Sequence, residues 1–162
     1  MAILIDTGLF YAFYNKRDVH HMDSICIIVH ALEGRWGRVL TTDLIVSETF
    51  TLLRRRIGIN TASAFLKALK RSGVDIIFMD PRYFEETVKL IDKYKDVKLS
   101  FTDSFTVVVL KEREIEYLAT YDEKNFLSFG VSIIGREYAS TLSADEINRI
   151  KKQIEAYISG IG

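Results

Sequence analysis

Short apolar runs alternate with longer stretches of mixed polarity along this chain. Ile3-Leu4-Ile5 is a buried-strand signal, and the pattern after it predicts helices over residues 9–14 and about 21–33. Val39-Leu40-Thr41-Thr42 reads as a second strand, and helical spacing returns over 44–57 and 61–71. Residues 74–79 form a third strand signal. Asp80-Pro81 then supplies an N-cap and a first-turn proline for a helix to about residue 94. Residues 103–114 are helical by spacing, 117–120 a strand, and 131–134 a last strand. Such alternation argues for an α/β fold, a mostly parallel sheet with helices on both sides. Further on, Ser143-Ala144-Asp145-Glu146 has the form of a capping box. Ile147, Ile150, Ile154 and Ile158 continue as an apolar stripe, so a C-terminal helix is expected over about 143–160.

A length of 162 residues points to a single domain over 1–162, and no repeat or Pro/Gly/Ser-rich linker divides it. No run reaches the roughly 18 apolar residues of a membrane span. The opening Met-Ala-Ile-Leu-Ile-Asp lacks the basic start of a secretory signal. Cys26 is the single cysteine, which excludes an internal disulfide and fits a cytoplasmic location. Twenty-two basic and twenty-two acidic side chains cancel, which counts mildly against a nucleic-acid partner. The bases do cluster, however, at Lys16-Arg17, Arg35 with Arg38, Arg54-Arg55-Arg56, and Lys67, Lys70, Arg71. Each cluster is either a solvated helix face or a phosphate-facing patch.

Familiar catalytic signatures are missing. There is no GxGxxG, P-loop or GxSxG, and His20, His21 and His30 do not stand at zinc-ligand spacing. What remains is acidic. Asp6, Asp43, Asp80 and Asp122 all follow predicted strands, the edge at which parallel sheets bind ligands. Asp43 and Asp80 read as ordinary helix N-caps, and Asp6 or Thr7 can cap in the same way. Ile45, Glu48 and Leu52 fall at i, i+3 and i+7, which puts Glu48 on a buried stripe. Asp103, Val107 and Leu110 do the same for Asp103. The plain alternatives are an arginine partner for Glu48 and a capping role for Asp103.

Two negative charges 4 Å apart repel by about 4 kcal/mol at an effective dielectric near 20. Asp6, Glu48, Asp103 and Asp122 brought to one point would therefore need protons or cations. Oxygen ligands without His or Cys select Mg²⁺ or Mn²⁺ and leave positions for a phosphate and a water.

In order and spacing, Leu4-Ile5-Asp6-Thr7, Val46-Ser47-Glu48, Ser100-Phe101-Thr102-Asp103-Ser104 and Ala119-Thr120-Tyr121-Asp122-Glu123-Lys124-Asn125-Phe126 resemble the PIN-domain nucleases. The likeness is strongest to the VapC-like toxin ribonucleases and covers about residues 2–137. It implies a three-layer α/β/α sandwich and an Mg²⁺- or Mn²⁺-dependent endoribonuclease acting on single-stranded RNA. A cognate antitoxin and a homodimer or higher homo-oligomer are implied with it. Carried over by position, Asp6, Glu48, Asp103 and Asp122 are the catalytic and metal-site acids. Thr7, Ser47, Thr102 and Thr120 are hydroxyls beside them, and Glu123 and Asn125 lie at the rim. Arg54, Arg55 and Arg56, or Lys16 and Arg17, either track the RNA backbone or meet a protein partner. The departure is the C-terminal extension, which packs on its own domain, across a dimer, or in the groove where an antitoxin would dock. Competing readings are a non-catalytic PIN-like binding module, an RNA-processing nuclease outside any toxin pair, and a small metal-dependent phosphatase.

Overall fold

A computed structural model describes residues 1–159, the side chains of 158 and 159 excepted. Five strands form one sheet: β1 (Ala2–Ile5), β2 (Arg38–Thr42), β3 (Asp75–Ile77), β4 (Tyr117–Ala119) and β5 (Ser132–Ile134). Their order is β3-β2-β1-β4-β5, and every neighbouring pair is parallel. Ile3, Leu4 and Ile5 are all buried, because helices cover both faces and a central parallel strand has no solvent side.

Helices α1 (Thr7–Tyr14), α2 (His21–Leu32), α3 (Asp43–Arg56) and α4 (Ile59–Arg71) link β1, β2 and β3 in one direction across the sheet. Helices α5 (Pro81–Lys93) and α6 (Phe101–Glu112) carry the chain back past β1 to β4. With right-handed crossovers these two sets lie on opposite faces, giving three layers. Accordingly α1 packs against α2 and α3, α3 against α4, and α5 against α6. The direction reverses between β1 and β4, whose carboxyl ends therefore open a crevice.

Element ends shift by one or two residues from those expected, and α3 is capped by a different residue. The strand expected over 74–79 spans only Asp75–Ile77. It is an edge strand, and past its end the Met79 N–H donates to Asp43 Oδ1 at 3.1 Å rather than to the sheet. Asp43 is not the N-cap of α3. Thr42 holds that position, its Oγ1 accepting from the Ile45 N–H at 3.2 Å. Asp80 does cap α5, accepting from Tyr83 N–H at 2.7 Å.

The C-terminal helix α8 (Ala144–Ser159) packs on α2 of its own domain. Ile150 is fully buried among Ile25, Cys26 and Val29, with Ile154 against the same cluster. The capping box is half made. Ser143 Oγ accepts from Glu146 N–H at 3.1 Å, but the Glu146 carboxylate turns inward to His30 Nε2 at 2.8 Å and to Arg149. Hydrogen bonds from Arg149 and His30 hold that carboxyl down to about 2. Buried His30 is also bonded to Tyr138 Oη at 2.7 Å, which ties α8 to the segment after β5. The expected helix end at 160 and the Ile158 side chain lie outside the described residues.

Candidate active site

The crevice begins with Asp6, the residue after β1. Its extended backbone makes it the N-cap of α1, with Oδ1 accepting from Thr7 N–H at 2.8 Å. Its other oxygen, Oδ2, accepts from Thr120 Oγ1 at 2.7 Å. Only 8% of the residue is exposed, so desolvation penalises its charged form. Burial pushes the Asp6 carboxyl up to about 6. The bonds from Thr120 and Thr7 oppose that rise, while the negative charges of Asp103 and Glu48 add to it.

Glu48 is not on a buried stripe. The inward face of α3 is Ile45, Thr49 and Leu53, at i, i+4 and i+8, and Glu48 is exposed beside it. Its Oε2 accepts from Thr7 Oγ1 at 2.6 Å, which turns the carboxylate toward the end of β1. No arginine pairs with it among the described residues. Asp103 is half-buried and completes a capping box at the head of α6. Its Oδ2 accepts from Ser100 N–H, and its own N–H donates to Ser100 Oγ, both at 3.0 Å. Asp122, exposed, precedes the short helix α7 (Glu123–Phe126) without a side-chain cap bond. Its Oδ2 accepts from Asn125 Nδ2 at 2.7 Å.

Thr120 joins two of the four. Fully buried, it donates its hydroxyl hydrogen to Asp6, while its oxygen accepts from the Asp122 N–H at 3.1 Å. Of the expected hydroxyls, Thr7 and Thr120 therefore orient acids. Ser47 is exposed and Thr102 half-buried, and neither hydroxyl reaches a carboxylate among the described residues.

Asp6, Glu48, Asp103 and Asp122 line one open cavity of about 510 Å³, together with Thr7, Gly8, Ser100, Thr120, Tyr121 and Arg136. None of the four acids forms an ion pair among the described residues. The four acids thus share a cavity but not a finished cage. Among the described residues, no three His, Cys, Asp or Glu side chains stand together at metal-holding geometry. Each of these carboxylates is held by a nearby donor: Asp103 by the Ser100 N–H, Asp122 by the Asn125 amide and Glu48 by the Thr7 hydroxyl. One oxygen on each of Glu48, Asp103 and Asp122 keeps no protein hydrogen bond among the described residues. Carboxylate and hydroxyl oxygens alone are the donor set of a hard divalent cation, so the residues present fit Mg²⁺ or Mn²⁺.

None of the basic clusters singled out in the sequence lines this cavity. Lys16, Lys67 and Arg71 border a separate groove beside α4 and α8, and Arg54, Arg55 and Arg56 form the exposed last turn of α3. The cation that does line the cavity is Arg136, which sequence reasoning passed over because it sits in the irregular segment after β5.

The PIN-domain family matches residues 3–130. A VapC ribonuclease of Archaeoglobus fulgidus is 40% identical over 152 residues, 93% of each chain. Among solved structures, the Mycobacterium tuberculosis toxin VapC20, described as cleaving the sarcin-ricin loop, aligns with a TM-score of 0.67 at 21% identity. That alignment covers 78% of this chain and 94% of VapC20. VapBC2 of Rickettsia felis, solved on a promoter DNA fragment, aligns at a TM-score of 0.60 and 13% identity, over 83% of this chain and 98% of its own. At such identities the two structures speak to fold alone.

Proposed function

Because the chain belongs to the PIN-domain family, in its VapC-like branch, we propose that it is a divalent-metal-dependent endoribonuclease of single-stranded RNA. The observation that carries this reading is the cavity at the reversal point of the sheet. Four acids from four distant segments share it, and none of them has a cationic partner among the described residues.

Asp6, Glu48, Asp103 and Asp122 are the residues that would hold the cation. When bound, a divalent ion there supplies an acidified water as nucleophile and offsets charge developing on the phosphate. The chain's own part is positioning. Thr120 fixes the Asp6 carboxylate and the Asp122 backbone in one register, and Thr7 holds Glu48 toward them. The Ser100 N–H orients Asp103 at the cavity and leaves its second oxygen without a protein hydrogen bond among the described residues. Hydrolysis consumes one water: its oxygen bonds to phosphorus, the bond to the leaving sugar oxygen breaks, and a proton passes to that oxygen.

The same reading makes the protein the toxin of a toxin–antitoxin pair acting in the cytoplasm as a homo-oligomer. What supports it is the VapC relative, 40% identical, that matches nearly the whole chain. Among the described residues, no helix is long and apolar enough to cross a membrane. The domain boundaries of this reading are one unit over 1–162, with α8 as an extension packed on α2.

The test is incubation of labelled single-stranded RNA, and separately a phosphate-monoester dye, with the purified protein in Mn²⁺ or EDTA. Internal cuts in RNA that require Mn²⁺, with the dye untouched, support the nuclease. Dye hydrolysis without RNA cuts assigns a phosphatase, and binding without any cleavage assigns a non-catalytic module.

A further inference from the structure

Among the described residues that line the acid cavity, Arg136 carries the one guanidinium or ammonium charge, yet it pairs with no carboxylate. Its Nη1 lies 3.2 Å from His20 Nε2, and its Nη2 donates to the Tyr121 carbonyl at 3.2 Å. With Arg136 as donor, both partners are neutral acceptors. A guanidinium has five N–H donors, and the rest of this one has no protein acceptor among the described residues.

The position is built rather than incidental. Residue 135 must be glycine, because a Cβ there would stand 2.2 Å from the Thr120 carbonyl oxygen. The segment carrying Arg136 thus passes directly over the end of β4. Asp23 of α2 then clamps it from the other side, accepting from Glu137 N–H at 3.2 Å and Ala139 N–H at 2.8 Å. The His20 ring stacks on Tyr121 with centroids 4.3 Å apart, and Tyr121 Oη donates to the His20 carbonyl at 3.2 Å. The two groups that hold the guanidinium are therefore fixed to each other.

A side chain kept for charge balance would bond to one of the acids it faces. This one is held short of them with donors to spare, the arrangement suited to an incoming planar or tetrahedral oxyanion. We propose that Arg136 anchors a phosphate of the RNA strand at the edge of the acid cavity and so sets which phosphodiester lies over the four carboxylates. The proposal rests on the nuclease reading above.

The experiment measures cleavage of a labelled single-stranded RNA at several salt concentrations by wild type, R136A and R136K. Loss of one charged phosphate contact should raise KM by roughly tenfold or more in R136A. The slope of log affinity against log salt should also flatten by about 0.7. R136K should recover the slope but only part of KM, because an ammonium lacks the planar fork. Melting temperatures should stay together, since Asp23 and the Gly135 approach hold the segment without this side chain. Wild-type KM and slope in R136A overturn the proposal. So does a change confined to the Mn²⁺ concentration giving half-maximal rate, which would make Arg136 a counter-ion of the acids. If R136A melts well below wild type, R136K decides: full recovery of KM by lysine overturns the phosphate fork. Wild type that leaves RNA intact overturns the nuclease reading as well, which separates the two failures.

Discussion

Replacing Asp6 by asparagine should stabilise the cation-free protein at neutral pH, against the usual effect of altering a buried polar residue. The folded carboxyl ionises at about 6 and the unfolded one at 3.8, a gap of about two units. At 1.36 kcal/mol per unit, ionised Asp6 costs about 3 kcal/mol relative to its protonated form. The sign follows from the raised value: the group's favourable contribution is complete below 3.8 and is lost as pH rises through about 6. Asparagine imitates the protonated acid. Its carbonyl can still accept from Thr7 N–H, but its amide faces Thr120 Oγ1, which must turn to accept. That mismatch costs about 1 kcal/mol. The net gain is about 1–2 kcal/mol, or about 3–6 °C in melting temperature for a chain of this size. Circular-dichroism melts in EDTA from pH 4 to pH 8 test it. Wild type should match or slightly exceed D6N near pH 4 and fall below it by pH 7. A D6N protein that melts below wild type at pH 7, or by a constant margin at every pH, would refute the reasoning.

Two further outcomes follow from the packing around the site. Thr120→Ala removes the hydroxyl shared by Asp6 and the Asp122 N–H, and should lower stability by about 1–3 kcal/mol and RNA cleavage with it; urea unfolding beside a cleavage assay reads both, and unchanged turnover would take Thr120 out of the site. Ile150→Ala empties a fully buried position between α8 and α2, and should cost about 2–5 kcal/mol in urea unfolding. A loss below about 1 kcal/mol would mean that α8 is not part of the folded unit.

The sheet was legible because its strands are apolar on both faces. Ile3-Leu4-Ile5 admits few other readings, and once five strands are parallel, Asp6 and Asp122 must emerge at the same edge. Glu48 shows where periodicity misleads. Thr49 looks polar in the sequence, yet it is fully buried and its Oγ1 has no partner among the described residues. Its burial sets the inward face of α3 along Ile45, Thr49 and Leu53, one residue past Glu48. Asp43 failed for a similar reason. Thr42 ends β2 as expected, but its hydroxyl also caps α3, and the Asp43 carboxylate holds Met79. Arg136 left no local signal at all. Its place depends on Gly135 meeting Thr120 and on Asp23 reaching across from α2, contacts between segments far apart in the chain.

Titration of Mn²⁺ into the purified protein and into D6N, E48Q, D103N and D122N, followed by calorimetry, reaches the central claim most directly. If the four carboxylates act as one cation site, wild type binds Mn²⁺ and each substitution weakens that binding by roughly tenfold or more. Wild-type affinity in every variant, or no binding by the parent protein, would contradict it.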